Sequence, residues 1–243
     1  MVSLNKVALV TGGTRGIGES ISKKLNKDGY TVIANYASND EKAEKFSNET
    51  GIEVIKWDVS DYQKSSTEIS KIYEKHKTID ILVNNAGITR DAPLHKMTIE
   101  NWSKVINVNL NSVFNITSLV VNKMRENAFG RIVHISSVNG QKGQFGQTNY
   151  AATKSALIGF SKSLALESAS KNMTSNVICP GYINTEMVAA IREDILKGII
   201  DTIPTKRLGD SEEIADLVSY VVSDKASYIN GATLSINGGL WMD

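Results

Sequence analysis

The chain has 243 residues, a formal net charge of +1, and 27 Lys and Arg against 26 Asp and Glu. That length can bury a sizeable core, and so even a balance leaves no field directed at nucleic acid or an anionic membrane surface. The lone cysteine, Cys179, excludes a disulfide within the chain and fits a reducing compartment.

The N-terminus runs directly into VALV without a signal-like segment. No apolar run nears the ~20 residues of a membrane-spanning helix. A cytoplasmic globular protein is the expectation.

Lys6 to Thr11 reads as a short, continuously apolar strand of the kind buried on both faces of a parallel sheet. TGGTRGIGES follows, placing Gly12, Gly13, Gly16 and Gly18 at the start of a helix. Ile17, Ile21 and Leu25 recur there at helical spacing as far as Asp28-Gly29. Such a turn lets backbone N–H groups approach a pyrophosphate at the positive end of the helix. The spacing is G-x-x-x-G-x-G, which a plain tight turn explains as well as a nucleotide site does.

Tyr30 to Asn35 is the second strand, and the residues at its end select the cofactor. An acid there would bind the ribose hydroxyls of NAD and repel a 2′-phosphate. Here the residues are Asn35-Tyr36-Ala37-Ser38. With Arg15 as a cation and Ser38 as a hydroxyl, they predict NADP(H).

Residues 40–49 form a charged amphipathic helix, and Ile52 to Trp57 the third strand. Asp58-Val59 comes next. Asp58 suits an adenine amino group, and Asp61 suits the cap of a helix over 61–76. Ile79 to Val83 is the fourth strand, followed by Asn84-Asn85-Ala86-Gly87. Small residues and amides let the chain pass close under a flat ligand, although a tight turn also fits.

Residues 98–127 form one long helical pattern containing Asn107, Asn109 and Asn111. Three poor helix formers so close together imply a local distortion or a buried amide with a task. Residues 131–135 are the fifth strand, leading into HISSVNGQKGQFGQTNYAATK over 134–154. This stretch passes Ser136 and Ser137 at a strand end, crosses a loop rich in Gly and Gln, and enters a helix over about 149–170. Tyr150 and Lys154, four residues apart, share one face of that helix. An ammonium beside a phenol favours the phenolate and makes a proton donor that works near neutral pH. Strand alternation turns Ser136 and Ser137 to opposite faces, so one of them can hold a substrate oxygen.

Thr174 to Cys179 is the sixth strand, where Cys179 reads as core rather than nucleophile. It ends in Pro180-Gly181-Tyr182. Residues 183–208 are polar with helical pieces and are expected to form a mobile lid. A helix over 211–223, a strand from Ala232 to Ile236 and the turn Asn237-Gly238-Gly239 complete the chain. His76, His95 and His134 lack metal-ligand spacing, so no metal is expected, and His134 reads as a satisfied core or sheet-edge residue. The regular alternation of strand and helix predicts one α/β domain over 1–243, a doubly wound parallel sheet of about seven strands with helices on both faces.

TGGTRGIG, NNAG, Ser-x12-Tyr-x3-Lys and PG occur in that order, and together they resemble the short-chain dehydrogenase/reductase family along essentially the whole chain. The resemblance implies a Rossmann fold and four catalytic positions. Tyr150 is then the acid in reduction, and Lys154 lowers its pKa and binds the nicotinamide ribose. Ser137 holds the carbonyl, and Asn109 holds a water that links Lys154 to bulk. The implied cofactor surface takes in Gly12, Thr14, Arg15, Gly16, Ile17, Gly18, Asn35, Ser38, Asp58 and Val59. It continues through Asn85, Ala86, Gly87, Tyr150, Lys154, Pro180, Gly181, Ile183 and Thr185.

The 131–154 stretch, PGYINTEM and NGGLWM are similar to the acetoacetyl-CoA reductases of that family. By that resemblance Gln144, Phe145, Gln147 and Tyr182 line an acyl pocket beside Ser137 and Tyr150, and the partner is an acyl-CoA thioester. The 3-oxoacyl-[acyl-carrier-protein] reductases share these motifs. They use a basic residue just before the fifth strand and another after the Tyr/Lys helix. Lys171 fits the second place, and Asn127-Ala128 leaves the first without a base. A non-catalytic NADP-sensing protein would typically lose Tyr or Lys, and both are present. The family also implies a homotetramer through helices 98–127 and 149–170 and the last strand.

Overall fold

The structure, a computed structural model, describes residues 6–185, 188 and 192–242. Its frame is one seven-stranded sheet in the order β3-β2-β1-β4-β5-β6-β7. The strands are β1 (Val7–Val10), β2 (Thr31–Tyr36), β3 (Glu53–Lys56), β4 (Ile81–Asn84), β5 (Gly130–Ile135), β6 (Met173–Pro180) and β7 (Thr233–Ile236). Every pairing is parallel, from Val7 opposite Thr31 at one centre strand to Pro180 opposite Ile236 at the far edge. Parallel neighbours need a crossover, and the amphipathic stretches between the strands supply one each.

Helices α1 (Gly16–Lys27), α2 (Asp40–Thr50) and α3 (Tyr62–His76) follow the first three strands. Local chemistry sets their ends: Asn39 and Asp61 accept from the N–H groups of Lys42 and Lys64, and Gly51 closes α2 in the left-handed region at φ 71°. Asp61 is thus the cap that its position in the sequence predicts.

The single helix expected over 98–127 is three pieces. α4 (Ile99–Ile106) and α5 (Ser112–Glu126) flank a π-helical turn at Asn107–Asn111. The distortion falls on the three asparagines, and the middle one, Asn109, is buried. A short helix, α6 (Val138–Lys142), interrupts the expected loop and is capped by Ser137. Its Gly140 lies flat on the next helix, where a Cβ would come within 2.8 Å of the Lys154 backbone. That helix is α7 (Thr148–Ser168). Beyond β6 come α8 (Glu193–Thr202) and α9 (Ser211–Val222), the latter opened by a reciprocal Asp210–Glu213 cap.

Two apolar layers sandwich the sheet. Ala8, Val10, Ile21, Leu25, Ile214 and Val218 pack on the face covered by α1 and α9. Leu9, Ile69, Leu82, Ile116, Val120 and Leu164 pack on the face covered by α3, α5 and α7. Cys179 is fully buried within this frame.

The stretch read as a lid is closed at its base, because Ile183 bridges Gly209 and the Asn184 N–H donates to Gly209 O at 2.8 Å. Ile203 is buried, so the end of the stretch belongs to the core. Residues 186–187 and 189–191 of that reading lie outside the described residues.

Candidate active site

Chain order reverses between β1 and β4, and ligands of open parallel sheets bind at such a reversal beyond the carboxyl ends of the strands. The glycine turn and Asn85-Ala86-Gly87 leave β1 and β4 at that point. They are fastened together from within. Thr11 Oγ1 accepts from the N–H groups of Asn85 and Ala86, while Asn85 Nδ2 donates to the carbonyls of Thr11 and Gly12. Gly12 and Gly16 have φ of 62° and 53°, which favours glycine, and a Cβ on Gly18 would lie 2.0 Å from Gly12 O. The result is a shallow backbone cradle at the start of α1, with Arg15 exposed on its rim. Thr185 Cγ2 stands 3.8 Å from where a Gly16 Cβ would be. A pyrophosphate fits such a surface, since the glycines leave backbone open to it at the helix N-terminus.

At the end of β2, Asn35 is buried and turned inward, accepting from Gly12 N–H at 3.3 Å and donating to Trp57 O at 2.9 Å. It braces the cradle from behind. Ser38 is exposed. Asp40 also lies near this edge, but Lys56 Nζ holds its carboxylate at 2.7 Å. The Lys56 and Tyr36 hydrogen bonds keep its pKa below the usual carboxylate range. Asp58 accepts from the N–H and hydroxyl of Ser60. Burial pushes its pKa up, and the Ser60 bonds outweigh that push. Val59 is buried, and its carbonyl accepts from Asn115.

The chemistry-bearing side chains gather past β5. Ser136 and Ser137 diverge: Ser136 Oγ donates to Lys154 O at 2.7 Å, whereas Ser137 Oγ accepts from Asn139 N–H at 3.1 Å and is turned to the side of the Tyr150 phenol, whose pKa it lowers. Lys154 is buried, with Nζ donating to Ile135 O at 2.7 Å and lying 5.7 Å from the Tyr150 ring centroid. Burial raises the Tyr150 pKa above its ordinary value, against the lowering by Ser137, and Asp91 adds to the rise. Burial pulls Lys154 down to about 8. Asn109 clasps the backbone of Ile88, accepting from its N–H at 2.8 Å and donating to its carbonyl at 2.9 Å. A Cβ on Gly87 would lie 3.5 Å from both Asn109 Oδ1 and Lys154 Nζ, so this glycine leaves a gap between them.

In the loop before α7 the amides are bonded within the protein. Gln147 is bound at both ends, donating to Asp91 at 2.8 Å and accepting from Asn139 at 3.0 Å. Gln144 is exposed and accepts from Lys142, and Phe145 is 85% exposed at the tip. Tyr182 follows Pro180-Gly181; burial pushes the pKa of its phenol up, and Asn139 lowers it in part. A cavity of about 170 Å³ lies beneath Tyr182 and Ile183, lined also by Ile203, Arg207 and Asn237. Another of about 270 Å³ lies at the opposite end of β6, around Asn172, Thr174 and Tyr228, away from these groups.

Residue types alone did not single out Asp91, Thr11, Asn115 or Asn139. Asp91 sits in NNAGITRD and Asn139 two positions past Ser137, so adjacency to a motif was their only signal.

A phenol and a serine hydroxyl side by side, over a buried lysine and beside a nucleotide cradle, can steady a carbonyl oxygen and give it a proton as hydride arrives at its carbon. This defines an oxidoreductase acting on a ketone or hydroxyl group with a nicotinamide cofactor. Residues 12–241 match a family model described as Enoyl-(Acyl carrier protein) reductase. The "Acetoacetyl-CoA reductase" of Shinella zoogloeoides is 55% identical, over 97% of this chain and 98% of its own. That of Cupriavidus necator is 46% identical over 98% of each. The "3-oxoacyl-[acyl-carrier-protein] reductase FabG" of Escherichia coli is 44% identical, again over 98% of each. The chain belongs to the short-chain dehydrogenase/reductase family.

Proposed function

We propose that the protein uses NADPH to reduce a 3-oxoacyl thioester, with acetoacetyl-CoA giving (R)-3-hydroxybutyryl-CoA as the principal reaction. The observation that carries the substrate is the 55% identity over 97% of the chain to a protein named acetoacetyl-CoA reductase. The glycine cradle and Asn85-Ala86-Gly87 hold the cofactor, with Pro180, Gly181, Ile183 and Thr185 flanking it. The bound nicotinamide supplies the hydride. Arg15 and Ser38 meet a 2′-phosphate, and the pairing of Asp40 with Lys56 supports this by removing the nearest free acid.

Ser137 donates to the 3-oxo oxygen, and Tyr150 transfers its phenolic proton there as negative charge develops. The raised pKa of Tyr150 keeps that proton in place at neutral pH. Lys154 stabilises the phenolate left behind. The gap over Gly87 admits a water that returns a proton from the Asn109 side. Tyr182 walls the acyl group, and the 183–208 stretch closes over it.

A CoA thioester is favoured over a carrier-bound one by how the cations around the start of β5 are engaged. Arg131 is 2% exposed and donates to the carbonyls of Gly130 and Asn172, while Arg125 donates to Glu167 O. Neither supports attraction to an acidic carrier. Exposed Ile99, Phe114 and Leu166 support self-association through α4, α5 and α7 as a homotetramer.

The deciding assay compares kcat/KM for acetoacetyl-CoA and a carrier-bound 3-oxoacyl chain, each with NADPH and with NADH. Acetoacetyl-CoA with NADPH is expected to lead; a preference for the carrier substrate or for NADH overturns the corresponding part. Tyr150→Phe is expected to lower kcat by about 10²–10⁴-fold.

A further inference from the structure

The backbone at 182–184 leaves β6 above the 170 Å³ cavity, so packing from below holds it only in part. Bonds to one residue do the rest. Gly209 N–H donates to Tyr182 O at 2.9 Å, and Asn184 N–H donates to Gly209 O at 2.8 Å. A Cβ at 209 would come within 2.8 Å of Ile183 Cδ1, so the two segments lie in close contact.

A single carboxylate grips the chain on both sides of Gly209. Arg207 Nη1 and Nη2 donate to Glu213 Oε2 and Oε1, each at 2.8 Å. Asp210 N–H donates to the same Oε2 at 2.8 Å, and Arg207 Nη1 also donates to Leu208 O at 3.0 Å. Glu213 stands in the first turn of α9, whose Ile214 and Val218 share a core layer with Ile21 and Leu25 of α1. The carboxylate is thus mounted on the frame of the fold. Two parallel bonds between planar groups fix direction as well as distance. The Arg207 and Glu213 side chains are 56% and 42% exposed, so the pair adds little to folding energy and its effect is on place.

We propose that Arg207 and Glu213 are positioning residues: their two-pronged pair, carried on α9, fixes Gly209 and through its backbone bonds sets the place of Tyr182 against the acyl group. This rests on the reading of Tyr182 as the wall of the acyl pocket. No proton moves in the linkage, and its consequence is substrate fit rather than proton transfer.

The test joins steady-state kinetics of the full chain, with NADPH and acetoacetyl-CoA, to amide hydrogen exchange without substrate. Two variants break the pair and spare the cap of α9: Arg207→Ala, and Glu213→Gln, which keeps an oxygen for the Asp210 N–H. Each is expected to raise KM about two- to five-fold, the worth of an exposed ion pair, with kcat held. The double variant is expected to be no worse than the weaker single one, because both remove the same pair. In a Tyr182→Ala background, Arg207→Ala is expected to add nothing to the KM that Tyr182→Ala sets. The Asn184 and Gly209 amides are expected to exchange about two- to five-fold faster in Arg207→Ala, with Ser175 N–H at the opposite end of β6 changed less.

An unchanged KM in Arg207→Ala, or a multiplicative loss with Tyr182→Ala, would overturn the inference. So would exchange at Asn184 and Gly209 that quickened no more than at Ser175, the mark of a general loss of stability. A wild-type protein that turned over no 3-oxoacyl thioester would sink the proposed function and the acyl role of Tyr182 with it, while exchange still reads whether the pair holds Gly209. Turnover with KM unmoved by Arg207→Ala would sink the linkage alone.

Discussion

Tyr150 and Lys154 are neighbours that burial shifts in opposite directions. The phenol goes up because its charged form is the anion, and the lysine comes down to about 8 because its charged form is the cation. In the proposed reaction the phenol begins protonated and the lysine is charged to receive the phenolate. The kcat/KM for ketone reduction is therefore expected to be level at neutral pH and to fall as pH rises past about 8, where Lys154 loses its proton. Lys154→Met is expected to remove that limb along with most of the rate. A wild-type profile level to pH ~10, the range of a free tyrosine, contradicts the assignment. Residue types and a spacing of four made this pair legible in the sequence. Asp91 and Gln147, 56 residues apart, meet only because β4 and β5 are adjacent in the sheet, and no local pattern announces that.

At the scale of elements, the asparagine-rich turn between α4 and α5 shows why the long helix could not run straight. The π-helical turn places Asn109 where its amide clasps Ile88, tying the segment beyond β4 to the helix. The composition foretold a distortion but not its type. The short helix α6 was missed because two glycines and two glutamines within seven residues read as loop, whereas its Gly140 is needed for contact with α7. Glycines can be graded in the same way. Gly18→Ala forces a Cβ to within 2.0 Å of Gly12 O and is expected to cost about 1–3 kcal/mol and abolish NADPH binding. Gly159→Ala, in α7 with nothing within 4 Å, is expected to gain about 0.5–1 kcal/mol. Denaturant melts and cofactor titration of the two variants check the contrast; equal outcomes would refute it.

Across the whole molecule, a buried polar chain crosses the sheet. Asn84 donates to Thr117 and to His134, His134 pairs with Ser175, and Ser175 with Ser161, which joins β4, β5 and β6 to α5 and α7. Burial pulls the His134 pKa down to about 3, and the nearby Lys154 charge adds to the fall. The unfolded chain takes up this proton near pH ~6.5 while the folded protein does not until far lower. The stability linked to His134 is thus complete above pH ~6.5 and declines as pH falls towards about 3, by up to roughly 1.4 kcal/mol per pH unit. His134→Gln is expected to lower stability at neutral pH and flatten its slope between pH ~4 and ~6. Carboxylates such as Glu213, held at about 2 chiefly by Arg207, give a slope of the same sign. They are common to both proteins, so the difference isolates His134. Identical slopes in urea unfolding would show that His134 does not carry the effect.

Order and spacing along the chain determined the alternating elements, the glycine turn and the Ser–Tyr–Lys set, because these depend on local periodicity and on residues close in sequence. A periodicity that repeats strand and helix also selects a parallel sheet, since each crossover helix returns the chain to the end of the sheet at which the previous strand began. Which amides face the site, and which are turned inward to hold it, only the tertiary structure decided. Asn35, Asn85 and Gln147 looked like ligand contacts in the sequence and Asn109 like the holder of a water, and in the structure each side chain bonds another part of the protein. An amide offers donors and an acceptor in every direction. Its task is set by which partners the fold brings to it, and those come from strands and loops far away in the chain.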